Sequence, residues 1–82
     1  MGTITIHLEY FASLRDRRGV SQESVVTGCT TVEELYREMA ARHSFPLSRE
    51  SLSVAVNERF AEWSSRLQDG DRVVFLAPFA GG

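Results

Sequence analysis

Between Thr3 and Tyr10 polar and apolar residues alternate without a break, with Ile4, Ile6, Leu8 and Tyr10 on one side and Thr5, His7 and Glu9 on the other. A period of two is that of a strand with one face buried. Phe11-Ala12-Ser13-Leu14-Arg15-Asp16 then supplies helix formers and meets Arg17-Arg18-Gly19, where glycine can end a short helical turn. Ser21 to Val26 reads as a second, weaker strand.

The period changes at Thr31-Val32-Glu33-Glu34, which has the form of a capping box: the Thr hydroxyl covers a free backbone N–H and Glu34 reaches back. Val32, Leu35, Tyr36, Met39 and Ala40 follow helical spacing, while Glu33, Glu34, Arg37 and Glu38 are expected to face water. The helix should pack across the sheet and end near His43, because Phe45-Pro46 disfavours helix in the residue before proline; 44–51 reads as a loop. Leu52 to Asn57 predicts a third strand, Asn57-Glu58 a turn into a short strand from Arg59 to Ala61, and Leu67-Gln68-Asp69-Gly70-Asp71 another turn. In Arg72 to Leu76 both alternating faces are apolar, which predicts a strand covered on both sides. Two strands, a helix and further strands make an α+β fold of the β-grasp, ubiquitin-like kind: a mixed sheet with one main helix packed on one face. No repeat, low-complexity tract or linker divides the chain. Residues 1–76 form the expected domain, and 77–82 a projecting tail.

With 82 residues, 43% of them hydrophobic, the chain suits one small core and leaves no room for a large catalytic cleft. Cys29 is the single cysteine, so no internal disulfide forms, which fits a reducing compartment. The N-terminus lacks a signal-peptide pattern and no stretch approaches the ~20 apolar residues of a membrane span, so the expected location is cytoplasmic. A formal net charge of -2, with acidic residues spread along the chain, argues against nucleic acid as a partner. All 9 basic residues are arginine. Lacking lysine, the chain has no side-chain amine to accept an isopeptide bond, although it can donate its own C-terminus. Biased genome composition is sufficient explanation for so few residues.

The chain closes on Ala77-Pro78-Phe79-Ala80-Gly81-Gly82, a segment without a charged side chain. Pro78 cannot donate a ladder hydrogen bond, so the last residues are expected to leave the sheet as a narrow strip able to thread a tight channel. Gly81 and Gly82 let an enzyme close around the terminal carboxylate. A free carboxylate is a poor acyl donor until coupled to AMP, and without a nucleotide-binding motif the ATP chemistry must come from another protein. A flexible end is the plain alternative for the glycine pair.

Four segments together carry a resemblance: Phe11-Ala12-Ser13-Leu14-Arg15, Thr31-Val32-Glu33-Glu34-Leu35, Ala55-Val56-Asn57, and Leu67 to Phe75 leading into Pro78 and Gly81-Gly82. Almost end to end, the chain resembles the small subunits of molybdopterin synthase (the MoaD type), within the MoaD/ThiS family of ubiquitin-like sulfur carriers. The resemblance implies that an E1-like enzyme, consuming ATP, adenylates the Gly82 carboxylate, which is then converted to a thiocarboxylate. It further implies that the tail enters the large subunit of a heterotetramer and gives its sulfur to cyclic pyranopterin monophosphate in molybdenum cofactor biosynthesis. The chain would be the sulfur-carrying part of a sulfurtransferase, not catalytic alone, and bind no cofactor or metal itself. Phe11, Phe60 and Leu76 resemble the family's hydrophobic contact with the large subunit, joined by Pro78, Phe79 and Ala80; core packing is the rival reading. Ala77-Pro78 in place of the family's frequent Pro-Pro, and Phe79 in place of a smaller residue, bear on tail conformation and partner fit. A carrier of thiamine type or for another thio-metabolite, a ubiquitin-like protein modifier, and a plain interaction module are the other readings. Cys29 reads as a packing or loop residue, not a persulfide carrier; His7 and His43 have no metal partner at ligand spacing; Arg15, Arg17 and Arg18 read as a solvated run more than as a partner contact.

Overall fold

The computed structural model describes residues 2–45 and 49–76; the tail expected over 77–82 lies outside them. Strand β1 (Ile4–Tyr10) follows the alternation of its sequence, and Ile6 and Tyr10 are wholly buried. Helix α1 (Ala12–Arg18) is longer than one turn and ends at Gly19, whose φ of 92° lets its N–H reach the Arg15 carbonyl. Strand β2 (Gln22–Thr27) returns antiparallel to β1. Helix α2 (Val32–His43) opens on the expected capping box: the Glu34 N–H donates to Thr31 Oγ1, and Glu34 Oε1 accepts from the Thr31 N–H.

The expected 44–51 loop contains a 3-10 turn at Arg49–Ser51. Strands β3 (Ser53–Val56) and β4 (Arg59–Ala61) form a hairpin through Asn57 and Glu58, which take left-handed φ values of 53° and 72°. Strand β5 (Arg72–Leu76) inserts at the centre, parallel to β1 and antiparallel to β3. The sheet is five-stranded and mixed, in the order β2-β1-β5-β3-β4.

One face of this sheet and the apolar stripe of α2 enclose the core: Leu8, Val54, Val73 and Phe75 meet Val32, Leu35, Tyr36 and Met39, with Leu14 of α1 completing it. Burying each such side chain contributes about 1.5–3 kcal/mol relative to exposure. Rings fill the rest. Tyr36 stands edge-on to Phe75 at 5.0 Å and to Trp63 at 5.6 Å, and Trp63 stacks on Phe75 at 6.1 Å.

Two expectations are corrected. Strand β5 is not covered on both sides: Val73 and Phe75 are fully buried under the helix, while Val74 and Leu76 are only half-buried, because among the described residues no helix crosses the other face. Nor does Glu38 simply face water. Its Oε1 accepts hydrogen bonds from Thr27 Oγ1 at 2.8 Å and Cys29 Sγ at 3.2 Å, and its Oε2 pairs with Arg42 at 2.8 Å, which ties α2 to the end of β2.

Candidate functional site

Side-chain alternation sorts the sheet into a helix-covered face and an open one, and the strand register says what stands beside what. Across the open face one row runs Gln22, Glu9, Val74, Ala55, Phe60, each opposite the next on the neighbouring strand. Phe11 follows Tyr10 with extended backbone, φ -130° and ψ 157°, so it continues the alternation of β1 onto the same face as Glu9. Leu76 lies on this face beyond Val74. Phe60 is 79% exposed and Phe11 41% exposed, values that set them apart from core aromatics. The three residues suggested by the resemblance therefore share one surface; Phe11 and Phe60 are not core residues, and Leu76 is half-buried.

The other half of the open face is polar. Ser24, His7 and Arg72 form the next row, and His7 Nδ1 and Ser24 Oγ share a hydrogen bond of 2.8 Å. They line a shallow depression of about 320 Å³ with Glu9, Gln22 and Glu23. Beneath its rim Glu23 reaches the covered side. Its carboxylate takes two hydrogen bonds from Arg18, at 2.9 and 2.7 Å, and one of 2.6 Å from the buried Tyr10 hydroxyl. The paired guanidinium holds the Glu23 carboxyl below the usual carboxylate range, and burial first, then Glu23, pushes the Tyr10 phenol far above its ordinary value. Arg18 is thus an internal clamp at the end of α1, not part of a solvated run.

A second polar lock holds the entry of β5. Asp71 is buried; its Oδ1 accepts from Asn57 Nδ2 at 2.9 Å and its Oδ2 from the Gln68 N–H at 2.8 Å. Asn57 Oδ1 accepts from the Arg72 N–H at 3.0 Å, and the Asn57 N–H donates to the Arg72 carbonyl at 2.8 Å. Asp69 Oδ1 accepts from the Thr5 N–H at 2.7 Å, with Gly70 turning at φ 89° between the two aspartates. These residues fix the register of the strand that precedes 77–82. In the sequence Asn57, Asp69 and Asp71 read as turn formers; it is the pairing of β3 with β5 that brings Asn57 against Asp71 and Arg72.

Cys29 is half-buried and its thiol donates to Glu38. Burial pushes the thiol up, and the neighbouring carboxylate adds to the shift. His43 lies with its ring centre 5.8 Å from that of Phe45. Among the described residues no group of three or more His, Cys, Asp or Glu could hold a metal ion. Gly81, Gly82, Pro78, Phe79 and Ala80 lie outside the described residues.

A mixed sheet with β1 and β5 parallel at its centre and α2 across one face defines a β-grasp, ubiquitin-like protein. The chain belongs to the ThiS family, whose model matches residues 8–82. It is 35% identical over 80 residues to the molybdopterin synthase sulfur carrier subunit of Escherichia coli (strain K12), covering 94% of this chain and 99% of that relative. A solved structure of a putative molybdopterin converting factor, subunit 1, from Pyrococcus furiosus matches with a TM-score of 0.77 and 28% identity, over 93% of this chain and 99% of that one. A chain in the complex of subunits 1 and 2 of the molybdopterin-converting factor from Helicobacter pylori 26695 matches with a TM-score of 0.65. Its 18% identity, over 96% of this chain and 100% of that chain, shows the fold alone. The chain is a sulfur carrier of this family, and the Helicobacter pylori chain was solved in complex with a second subunit. Among the described residues no helix is long and apolar enough to cross a membrane.

Proposed function

We propose that the chain is the sulfur-carrying subunit of a molybdopterin synthase. An E1-like enzyme joins AMP from ATP to the Gly82 carboxylate, a sulfur donor displaces AMP, and the resulting thiocarboxylate gives its sulfur to cyclic pyranopterin monophosphate inside the large subunit. The observation that carries the reading is the 35% identity to the Escherichia coli carrier, which spans 99% of that relative. The chemistry supports it. Coupling to AMP removes the negative charge that resists attack and supplies a leaving group, and a thiocarboxylate is a softer and better nucleophile than a carboxylate at neutral pH. Phe11, Phe60 and Leu76 supply the apolar centre of the contact with the large subunit, rimmed by the polar half of the open face, an arrangement usual for protein interfaces. Gly81 permits close approach to the reacting carbonyl, and Pro78, Phe79 and Ala80 are the part of the tail that contacts the large subunit on the way to it. No cofactor resides on the chain in this scheme, and ATP is consumed by the activating enzyme. The cytoplasm is the compartment that supplies its partners and keeps Cys29 reduced.

The test is to incubate the protein with ATP, an E1-like activating enzyme and a sulfur donor, and to measure intact mass for replacement of one oxygen by sulfur. The gain should vanish on deletion of Gly82; no gain, with an activating enzyme proven on another carrier, would refute the carrier chemistry. The match to the ThiS family model also favours a second reading, a carrier of thiamine type. Which large partner co-purifies decides between them.

A further inference from the structure

Among the described residues four other than glycine hold a left-handed φ: Ala12, Ser44, Asn57 and Glu58, at 53°, 55°, 53° and 72°. Ser44 caps α2, where its N–H reaches the Ala40 carbonyl. Ala12 opens α1 and carries no polar group. Asn57 is a residue type that tolerates this region, and its side chain holds Asp71 and the Arg72 N–H. Glu58 differs from all three. Its side chain is exposed and makes no hydrogen bond or ion pair among the described residues, not even with Arg59 beside it.

Asn57 and Glu58 form a two-residue hairpin turn with both φ values positive, the type I′ geometry, in which glycine is the favoured second residue because it has no Cβ to crowd the backbone. A glutamate in that place is strained, and no contact within the described chain offsets the strain. A residue that breaks a local rule without gain to the fold points to function. Its neighbourhood says which. Glu58 is two positions from Phe60, so their Cα atoms lie within about 7 Å. Phe60 is 79% exposed, and β4 is an edge strand of the sheet, so both residues stand at the margin of the open face. A surface that covers Phe60 comes within reach of the Glu58 carboxylate.

We propose that Glu58 is a specificity-determining contact, a carboxylate that takes an arginine or lysine of the large subunit at the rim of the apolar patch around Phe60. The inference rests on the docking reading of Phe60 and adds to it the charge of the partner. An apolar patch alone accepts many apolar surfaces. A charged group at its rim speeds encounter with a complementary surface and penalises one that carries an acid at the same point. Glycine at this turn would form the hairpin with less strain and leave the rim without that charge.

The experiment compares the full chain with Glu58→Gly, Glu58→Gln and Phe60→Ser, measuring Tm and the Kd for the large subunit identified by co-purification, at about 50 mM and about 500 mM salt. Glu58→Gly should raise Tm by about 2–6 °C and yet bind about threefold to tenfold more weakly at the lower salt. Glu58→Gln, which keeps the strain and removes the charge, should lose as much affinity with Tm unchanged. Both losses should shrink at the higher salt, where the pair is screened. Stability and affinity moving in opposite directions is an outcome that a merely structural or solubilising glutamate does not give. Binding by both Glu58 variants within about twofold of wild type, while Phe60→Ser abolishes it, would overturn the assignment of Glu58 alone. A fall in Tm for Glu58→Gly would overturn the strain on which the argument stands. If Phe60→Ser binds as the wild type does, or the wild type does not bind, the docking reading fails and the assignment falls with it.

Discussion

Replacing Glu23 with alanine should cost this domain a large share of its stability, and the structure gives the size. The carboxylate is the shared acceptor of Arg18 and Tyr10, with side-chain exposures of 29% for Arg18 and 16% for Glu23. A hydrogen bond to a charged group contributes about 1.5–3 kcal/mol when shielded, but Arg18 is close to one-third exposed, and screening reduces the pair to about 1–2 kcal/mol. The Tyr10 hydroxyl is buried, and losing its acceptor costs a further ~1–2 kcal/mol. The sum, about 2–4 kcal/mol, compares with a net stability of about 4–12 kcal/mol for a domain of this length, and lowers Tm by about 10–25 °C. Urea unfolding followed by the fluorescence of Trp63, packed against Tyr36 and Phe75, measures it, with an unchanged slope as the sign that the unfolded state is unaltered. Glu23→Gln should lose only about half as much, since it keeps an acceptor but not the charge. The pH profile supplies a second check. Because Arg18 depresses the Glu23 carboxyl in the folded state, its contribution is present above the ordinary value of about 4.3 and is lost as pH falls through the lower folded value. Glu23→Gln should therefore flatten the acid limb, leaving a residual slope from Glu34 and Glu38, whose carboxyls are lowered by bonds from Thr30 and Thr27. A loss below about 1 kcal/mol in Glu23→Ala, or an acid limb unchanged in Glu23→Gln, would refute this account of the clamp.

Phe60→Ser should change stability by less than about 0.5 kcal/mol, since the ring is exposed, yet abolish co-purification with the large subunit. Retained co-purification would remove Phe60 from the interface. Asn57→Ala should destabilise by about 2–3 kcal/mol, through the hydrogen bonds to Asp71 and Arg72 and the left-handed backbone. Asn57→Gly, which relieves only the backbone, should recover about 1 kcal/mol of that in thermal melts. Cys29 should react slowly with a disulfide reagent, and Glu38→Ala, which removes the adjacent negative charge, should accelerate it roughly threefold to tenfold.

Elements whose information is local were legible in the sequence. The alternation from Ile4 to Tyr10 and the Thr31–Glu34 box gave β1 and the start of α2 because a strand face and a helix cap are decided by residues within a few positions of each other. The resemblance grouped Phe11, Phe60 and Leu76, which the register brings onto one face. What escaped depends on partners far apart in sequence. Glu38 faces water by helical spacing, yet meets Thr27 and Cys29 across the layer. Thr5 and Asp69 are 64 positions apart, and no periodicity joins them. The apolar second face of β5 reads as buried because composition reports only that water is disfavoured there, not whether the cover belongs to the same chain.

The placement of β5 also has a meaning for synthesis. Among the described strands it is the last in chain order and the one that joins the β2-β1 pair to the β3-β4 pair. Without it the β2-β1 and β3-β4 pairs share no strand, and a two-stranded pair is at best marginally stable alone. Val74 and Leu76 of the open face belong to that same strand. A nascent or prematurely stopped chain lacks both the sheet's central strand and those two residues, so partners encounter the complete face only on molecules that carry β5.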